Sequence, residues 1–407
     1  MWSDASLSRR TFVATLLGGL ASVAAGASPD PIAIEPKATR AVPHFRGNAA
    51  RTGKHPGPGP RGEPVLRWQV KLGDVLGSSP AVADGLVYAG SVMPTTVAGG
   101  ALHAVDALTG EARWRLATNP GDAIFGSPAV VDGVVFAGSY DGVVVAARAT
   151  TGEERWRFQA EAAIFSGPAV VDGRLFVGDD AGQLYALEAG TGEELWRSAL
   201  DDPFERAINS SPAVVDGALY AVSLPRRAGE QSILHAFDAA TGEEAWRFAT
   251  EDGRFLRGTA AVARGRVHVA TLDGFLYAVD ADDGEERWRY NAGGWTQTHP
   301  AVAGGFAYLA TDDGELHAVD AESGEPRWSR RLTRVPFTSS PTIAGGVVYL
   351  GDAEGTLHAV AGESGEERWR FGATSLYSSP AIVGGTIYVG SNSGALIAIG
   401  GSGEHDR

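Results

Sequence analysis

Short apolar runs alternate with Gly-, Asp- and Thr-rich punctuation along most of the chain. A representative stretch reads Ser78-Ser79-Pro80-Ala81-Val82-Ala83-Asp84-Gly85-Leu86-Val87-Tyr88-Ala89-Gly90. Pro-Ala-Val predicts a first strand, A. Asp-Gly predicts a tight hairpin, because Gly takes positive φ without steric cost and Asp tolerates it. Leu-Val-Tyr-Ala-Gly predicts strand B. A second turn leads to strand C, as in Leu276-Tyr277-Ala278-Val279, and a Thr-Gly-Glu-type turn leads to strand D, which carries a Trp. No stretch shows sustained helical periodicity.

The unit repeats. Trp stands at 68, 114, 156, 196, 246, 288, 328 and 369, and a Gly-Glu pair precedes seven of these. The proline-led stretch recurs at Pro128, Pro168, Pro212, Pro300, Pro341 and Pro380, with Ala260 replacing Pro once. Four antiparallel strands repeating about every 40 residues predict propeller blades. The expected fold is all-β, an eight-bladed propeller over residues 63–400. The eighth unit, from Pro380 through Ala398, lacks a Trp strand. Val65-Leu66-Arg67-Trp68-Gln69-Val70 supplies it from the front of the chain and is expected to close the ring, since an open stack leaves bare apolar faces.

Residues 1–27 predict an export signal. Ser8-Arg9-Arg10-Thr11-Phe12-Val13-Ala14 opens an apolar stretch that ends at Ala25-Gly26-Ala27. Paired arginines, a short greasy segment and small residues are the twin-arginine pattern. The stretch is too short and too rich in Gly and Ala for a spanning helix. Residues 28–62 are rich in Pro, Gly and Ala and are expected to be a linker and irregular lead-in outside the core; residues 401–407 form a polar tail.

Composition narrows the function classes. Apolar residues are 44% of the chain and charged residues 20%, enough for a large core. With no Cys there is no disulfide, thiolate metal site, cysteine nucleophile or acylated cysteine. The net charge of −15 argues against nucleic acid and anionic membrane surfaces as partners. Lys occurs only at Lys37, Lys54 and Lys71. Acidic excess with scarce Lys fits solubility in high salt, and suggests a halophilic source.

Ala104-Val105-Asp106-Ala107-Leu108-Thr109-Gly110-Glu111-Ala112-Arg113-Trp114 and the segment from Ala236 to Trp246 resemble the pyrroloquinoline-quinone (PQQ)-type propeller repeat. Phe45-Arg46-Gly47-Asn48-Ala49-Ala50-Arg51-Thr52-Gly53 resembles that family's lead-in. The resemblance spans residues 45–400. It implies a propeller, and either a quinone-dependent dehydrogenase or a non-catalytic assembly propeller. Family enzymes use calcium, a catalytic Asp and usually a vicinal disulfide, which this chain cannot form.

Several residues tempt a chemical reading. One Trp per blade at one repeat position is expected to dock the neighbouring blade rather than cage a cofactor. His103, His235, His317 and His358 share one strand-C position, about one sheet spacing apart, too far to ligate one metal. Asp179-Asp180, Asp282-Asp283 and Asp312-Asp313 lack the spacing of a calcium loop.

Internal symmetry separates scaffold from site. If A descends from its Pro, the D-to-A and B-to-C connections share one face. The second position before each Pro is small throughout, from Ser78 and Gly126 to Ser378. The third varies: Gly77, Phe125, Phe165, Asn209, Arg257, Gln297, Thr338 and Tyr377. His299 replaces a small residue before Pro300, and Arg206, Arg254 and Trp295 lie on the same connections. Insertions near Met93 and at Leu224-Pro225-Arg226-Arg227 are expected to overhang this face. The candidate binding residues are therefore Phe125, Phe165, Arg206, Asn209, Arg254, Arg257, Trp295, Gln297, His299 and Tyr377. The arginines are expected to form a positive spot, and the aromatics to add apolar contact.

The expectation is an exported, monomeric binding or assembly scaffold, on the extracellular or cell-surface side of the membrane. Its partner would be a protein or an anionic small molecule, with no nucleic acid and no cofactor. Membrane association would come only through an uncleaved signal. The alternative is a small PQQ- and calcium-dependent dehydrogenase of alcohols or sugars.

Overall fold

The computed structural model describes residues 41–92, 100–117, 123–200, 206–227, 230–373 and 376–403. The export segment, residues 28–40, the insertion at Met93 and the tail beyond 403 lie outside the described residues.

The strands form eight antiparallel blades. The first runs Ala81–Ala83, Leu86–Ser91, Ala101–Asp106 and Ala112–Ala117, in the order A, B, C, D. A-strands of adjacent blades approach one another, so A is innermost. The blade built on Ala213–Val215 gains a short strand, Arg206–Ala207, against the far end of its long B strand, Ala218–Pro225. The A–B hairpins are as expected: Asp84 and Gly85 take φ of 48° and 75°, and Asp132 and Gly133 take 49° and 71°, the mirror-image turn that matches strand twist.

Closure also follows the expectation. Pro64–Lys71 pairs antiparallel with Ala395–Gly401, from Pro64 opposite Gly401 to Lys71 opposite Ala395. It is the outermost strand of the last blade.

The tryptophans staple blade to blade. A Cβ at Gly110 would lie 2.6 Å from the Trp68 ring, and one at Gly152 would lie 2.6 Å from Trp114. The repeated glycine is thus the flat seat of the preceding blade's indole. Six indole N–H groups bond the next blade, as Trp114 donates to Ala149 O at 2.8 Å and Trp156 to Ala189 O at 3.0 Å; that of Trp288 has no partner among the described residues. The strand-C histidines are bonded within the scaffold. His103 meets Ser91 Oγ at 2.9 Å, His235 meets Glu244 at 2.6 Å, His317 meets Tyr290 Oη at 3.1 Å and His358 meets Glu367 at 2.8 Å.

Residues 42–55 depart from the expectation. They are irregular, but they fill the channel instead of lying outside the core. Every innermost strand presents an inward edge with no strand beside it, and its N–H groups need acceptors. The lead-in supplies one to each blade. Val82 N–H donates to Val42 O, Val130 to Pro43 O and Val170 to His44 Nε2. Val214 donates to Ala49 O, Val262 to Ala50 O and Val302 to Thr52 O. Ile343 donates to Gly53 O and Ile382 to His55 Nδ1.

Two arginines lock this plug. Arg51, wholly buried, donates to Pro212 O at 2.9 Å, Phe45 O at 3.0 Å, Gly167 O at 3.0 Å and Pro168 O at 2.9 Å. Arg46 donates to Pro300 O at 2.6 Å. Both hold left-handed φ, 61° at Arg46 and 56° at Arg51, which the surrounding bonds enforce. Pro and Gly in the sequence signal irregular backbone; they carry no signal of its burial.

Candidate functional site

Above the plug the D-to-A connections enclose an axial cavity of about 370 Å³, with Phe45 in its lining. The wall has two tiers. The lower tier is the residue before the proline position of each blade: Ser79, Ser127, Gly167, Ser211, Thr259, His299, Ser340 and Ser379. These form a hydrogen-bonded circuit, each backbone N–H reaching the side chain of the next blade. Ser79 N–H donates to Ser127 Oγ at 2.9 Å, Gly167 to Ser211 Oγ at 2.8 Å and Ser211 to Thr259 Oγ1 at 3.0 Å. Thr259 donates to His299 Nδ1 at 2.8 Å and His299 to Ser340 Oγ at 2.9 Å. Ser340 donates to Ser379 Oγ at 3.1 Å, and Ser379 closes on Ser79 Oγ at 2.9 Å. The circuit breaks once, between Ser127 and Gly167, because Gly167 has no side chain to accept.

The upper tier is the variable third position. Phe125, Phe165, Asn209, Arg257, Gln297 and Tyr377 all line the cavity, as do Gly77 and Thr338. A second cavity of about 580 Å³ adjoins it and shares Phe125, Phe165, Asn209, Arg257 and His299. There the Phe125 and Phe165 ring centroids are 5.8 Å apart, and Tyr140 sits edge-on to both, 6.4 Å and 5.5 Å away. Leu224 of the expected overhang lines this cavity, and Arg226 pins the same insertion through a 2.8 Å ion pair with Asp180. Asn209 Nδ2 reaches Asp180 at 3.4 Å.

Three candidates fall elsewhere. Arg206 does not line either cavity; it donates to Ser223 Oγ at 2.9 Å and to Gln231 O, bracing its own blade. Arg254 and Trp295 line a separate small pocket. Arg254 is neutralised by Asp252 and Asp273 and stacks 3.6 Å over the Phe275 ring. Trp295 is 66% exposed. The expected cluster of three arginines therefore reduces to Arg257, the single charged residue lining the axial cavity. Arg257 is exposed and makes no ion pair among the described residues. Beside it, burial raises the Asp312 carboxyl, opposed by a hydrogen bond from Gln297 and the Arg257 charge.

His299 is both wall and scaffold. Burial, with the charges of Arg46 and Arg257, pushes it down to about 3, so the ring is neutral at ordinary pH. Its Nδ1 accepts from Thr259, which leaves the proton on Nε2. Apart from His299, sequence reasoning missed the lower tier, although its signal was present: six blades carry Ser or Thr immediately before the proline position. It also missed Phe45, in the lead-in, and Tyr140, which stands at the B-to-C turn position that Asp180 and Asp312 hold in other blades.

A family model described as outer membrane protein assembly factor BamB, of the PQQ-type repeat, matches residues 65–163, 140–232 and 229–402. The chain belongs to that family. Among solved structures, this PQQ-like propeller is similar to BamB from Moraxella catarrhalis, at 19% identity and TM-score 0.68, covering 84% of this chain and 99% of that one. It is also similar to the quinohemoprotein alcohol dehydrogenase ADHIIG from Pseudomonas putida HK5, at 16% identity and TM-score 0.72, covering 89% and 80%. A europium-containing methanol dehydrogenase matches at 14% identity and TM-score 0.74, covering 88% and 98%. At these identities the likeness is one of fold. No curated protein sequence matches the chain.

A quinone–calcium pair would need carboxylate or amide oxygens converging on the metal. Among the described residues no three His, Asp or Glu side chains converge as a metal-ligand set. No carboxylate lines the axial cavity. Asp141 and Asp180 line the adjoining cavity, without a third such side chain beside them among the described residues.

Proposed function

We propose that this PQQ-like propeller is an exported binding scaffold that seats a ligand or protein partner at the mouth of its channel. One observation carries the reading. A wall serving the scaffold alone would repeat from blade to blade, yet the upper tier carries seven residue types in eight blades and gathers aromatic, amide and guanidinium groups around two adjoining cavities. Binding pockets combine apolar walls with a few placed polar groups in this way. Arg257, which makes no ion pair among the described residues, favours an anionic ligand or an acidic protein segment. The Arg9-Arg10 pair and the apolar stretch after it support export by the twin-arginine route, and with it a role outside the cytoplasm. The dehydrogenase alternative is supported by fold likeness alone.

The test uses a photo-cross-linking residue at position 257 or at Leu108, which is 86% exposed on a C-to-D turn of the opposite face. The folded protein is incubated with the native extracytoplasmic fraction. Adducts from position 257 but not 108 are expected. Adducts confined to 108 would overturn the assignment of the face.

A further inference from the structure

The break in the lower tier is more than a missing bond. Seven of its eight N–H groups have side-chain acceptors; that of Ser127 has none among the described residues. A Cβ at Gly167 would lie 3.4 Å from Ser127 N, so this N–H borders the space that a side chain at Gly167 would occupy, as the other seven N–H groups border their acceptors. That space belongs to the axial cavity.

Other donors converge there. The tier hydroxyls each accept one N–H, and their own protons have no acceptor among the described residues. Ser211 Oγ lies 3.2 Å from the Gly167 Cβ position, and Ser127 walls the other side with its N at 3.4 Å and its carbonyl O at 2.8 Å. Behind Gly167 stands Arg51, whose guanidinium donates to Gly167 O at 3.0 Å. Burial lowers Arg51 to about 9, so it remains charged at neutral pH. Among the described residues neither Arg51 nor Arg46 has a carboxylate partner, and burying an uncompensated cation is costly.

Apolar surface lies directly above. Phe125 and Ser127 share one connection, and Phe165 and Gly167 share the next. The 5.8 Å aromatic pair therefore overhangs the break, with Tyr140 beside it.

We propose that the Ser127–Gly167 break is a carboxylate seat, and that the mouth takes a monocarboxylate with an aromatic or branched apolar body. The inference rests on the mouth being a binding site and names its ligand class. The carboxylate accepts from Ser127 N–H and the neighbouring hydroxyls, and its charge offsets Arg51. The body packs under Phe125 and Phe165, and Arg257 at the rim draws the anion in. One open N–H, with one buried cation behind Gly167, suits a single negative charge better than a phosphate dianion.

The test is an NMR titration of the full mature chain with phenylacetate, and with phenylacetamide as its neutral isostere. The Ser127 amide is expected to shift more than the seven partnered amides, and the amide ligand to bind about tenfold more weakly, the loss of one charge-assisted bond. Gly167→Ser supplies the missing acceptor and is expected to weaken phenylacetate by about tenfold or more. Its Cβ would come within 2.8 Å of Ser127 O, so the wild-type titration decides the matter if that variant does not fold. Shifts confined to Arg257 and Tyr377 would overturn the seat and leave the mouth reading intact. Equal affinity for acid and amide, or no binding of either, would overturn the seat; the mouth reading is then decided by the cross-linking experiment.

Discussion

The Trp68 indole N–H donates to the Ala107 carbonyl, 3.1 Å away, across the seam between the last blade and the first. Strand pairing ties Trp68 to Ala398 on its other side. The strand that enters early in the chain is thus the clasp of the ring. Removing residues 28–72 is expected to abolish cooperative thermal unfolding, and removing 28–40 to leave it intact. Removing 28–55 keeps the clasp but strips acceptors from eight inner strands, so a large loss of Tm is expected. A cooperative 73–407 fragment, measured by circular dichroism, would sink the clasp model.

His299→Ala and Arg257→Ala are expected to separate. Arg257 is exposed and makes no ion pair among the described residues, so its removal should cost within about 0.5 kcal/mol. Loss of the His299 ring strips the Thr259 N–H of its acceptor and should cost about 1–3 kcal/mol. Urea unfolding of the two variants checks the order. Equal losses would mean that the circuit at Thr259 adds nothing.

Arg51→Met keeps length and removes donors to four carbonyls. Those carbonyls lie where water has little access. A loss of about 3 kcal/mol or more is expected in chemical denaturation. A neutral or stabilising outcome would show that the buried charge costs more than its bonds return.

Stability should fall as pH drops from 7 to 4. His44, His55, His103 and His299 are lowered by burial from 6.5 to about 3, and His268 to about 4. Between these values and 6.5 the unfolded chain binds protons that the folded chain does not. Their stabilising contribution is full above pH 6.5 and is lost toward pH 3–4, at up to about 1.4 kcal/mol per pH unit for each histidine. Denaturation midpoints at pH 7, 6 and 5 test this; a flat profile would mean that these rings reach solvent.

Replacing Arg9 and Arg10 with Lys is expected to leave precursor inside the cell, measured by fractionation and immunoblot. Normal secretion of that variant would point to another route.

The blade pattern was legible because it repeats. Asp84-Gly85 and its counterparts dictate the hairpins, and the Trp68–Gly110 contact recurs around the ring. The upper tier was legible for the converse reason, since Phe165 or Arg257 stands out against its equivalents. Arg206 and Arg254 were misplaced because sequence adjacency does not say which way a long side chain turns. Arg206 turns to Ser223 and Arg254 to Asp252 and Asp273. The lead-in was opaque: residues 42–55 follow no period, and their burial is imposed by donors on strands far along the chain.

That segment also acts as a gauge. Fourteen consecutive residues offer one acceptor to each of eight inner strands, with spacings set by Val42, Pro43, His44, Ala49, Ala50, Thr52, Gly53 and His55. A ring of seven or nine blades would throw those spacings out of step. Propeller repeats are easily gained or lost by duplication within a gene. In this chain a gain or loss would have to be matched by a simultaneous change in an unrelated stretch, so blade number is held fixed by a part of the molecule that belongs to no blade.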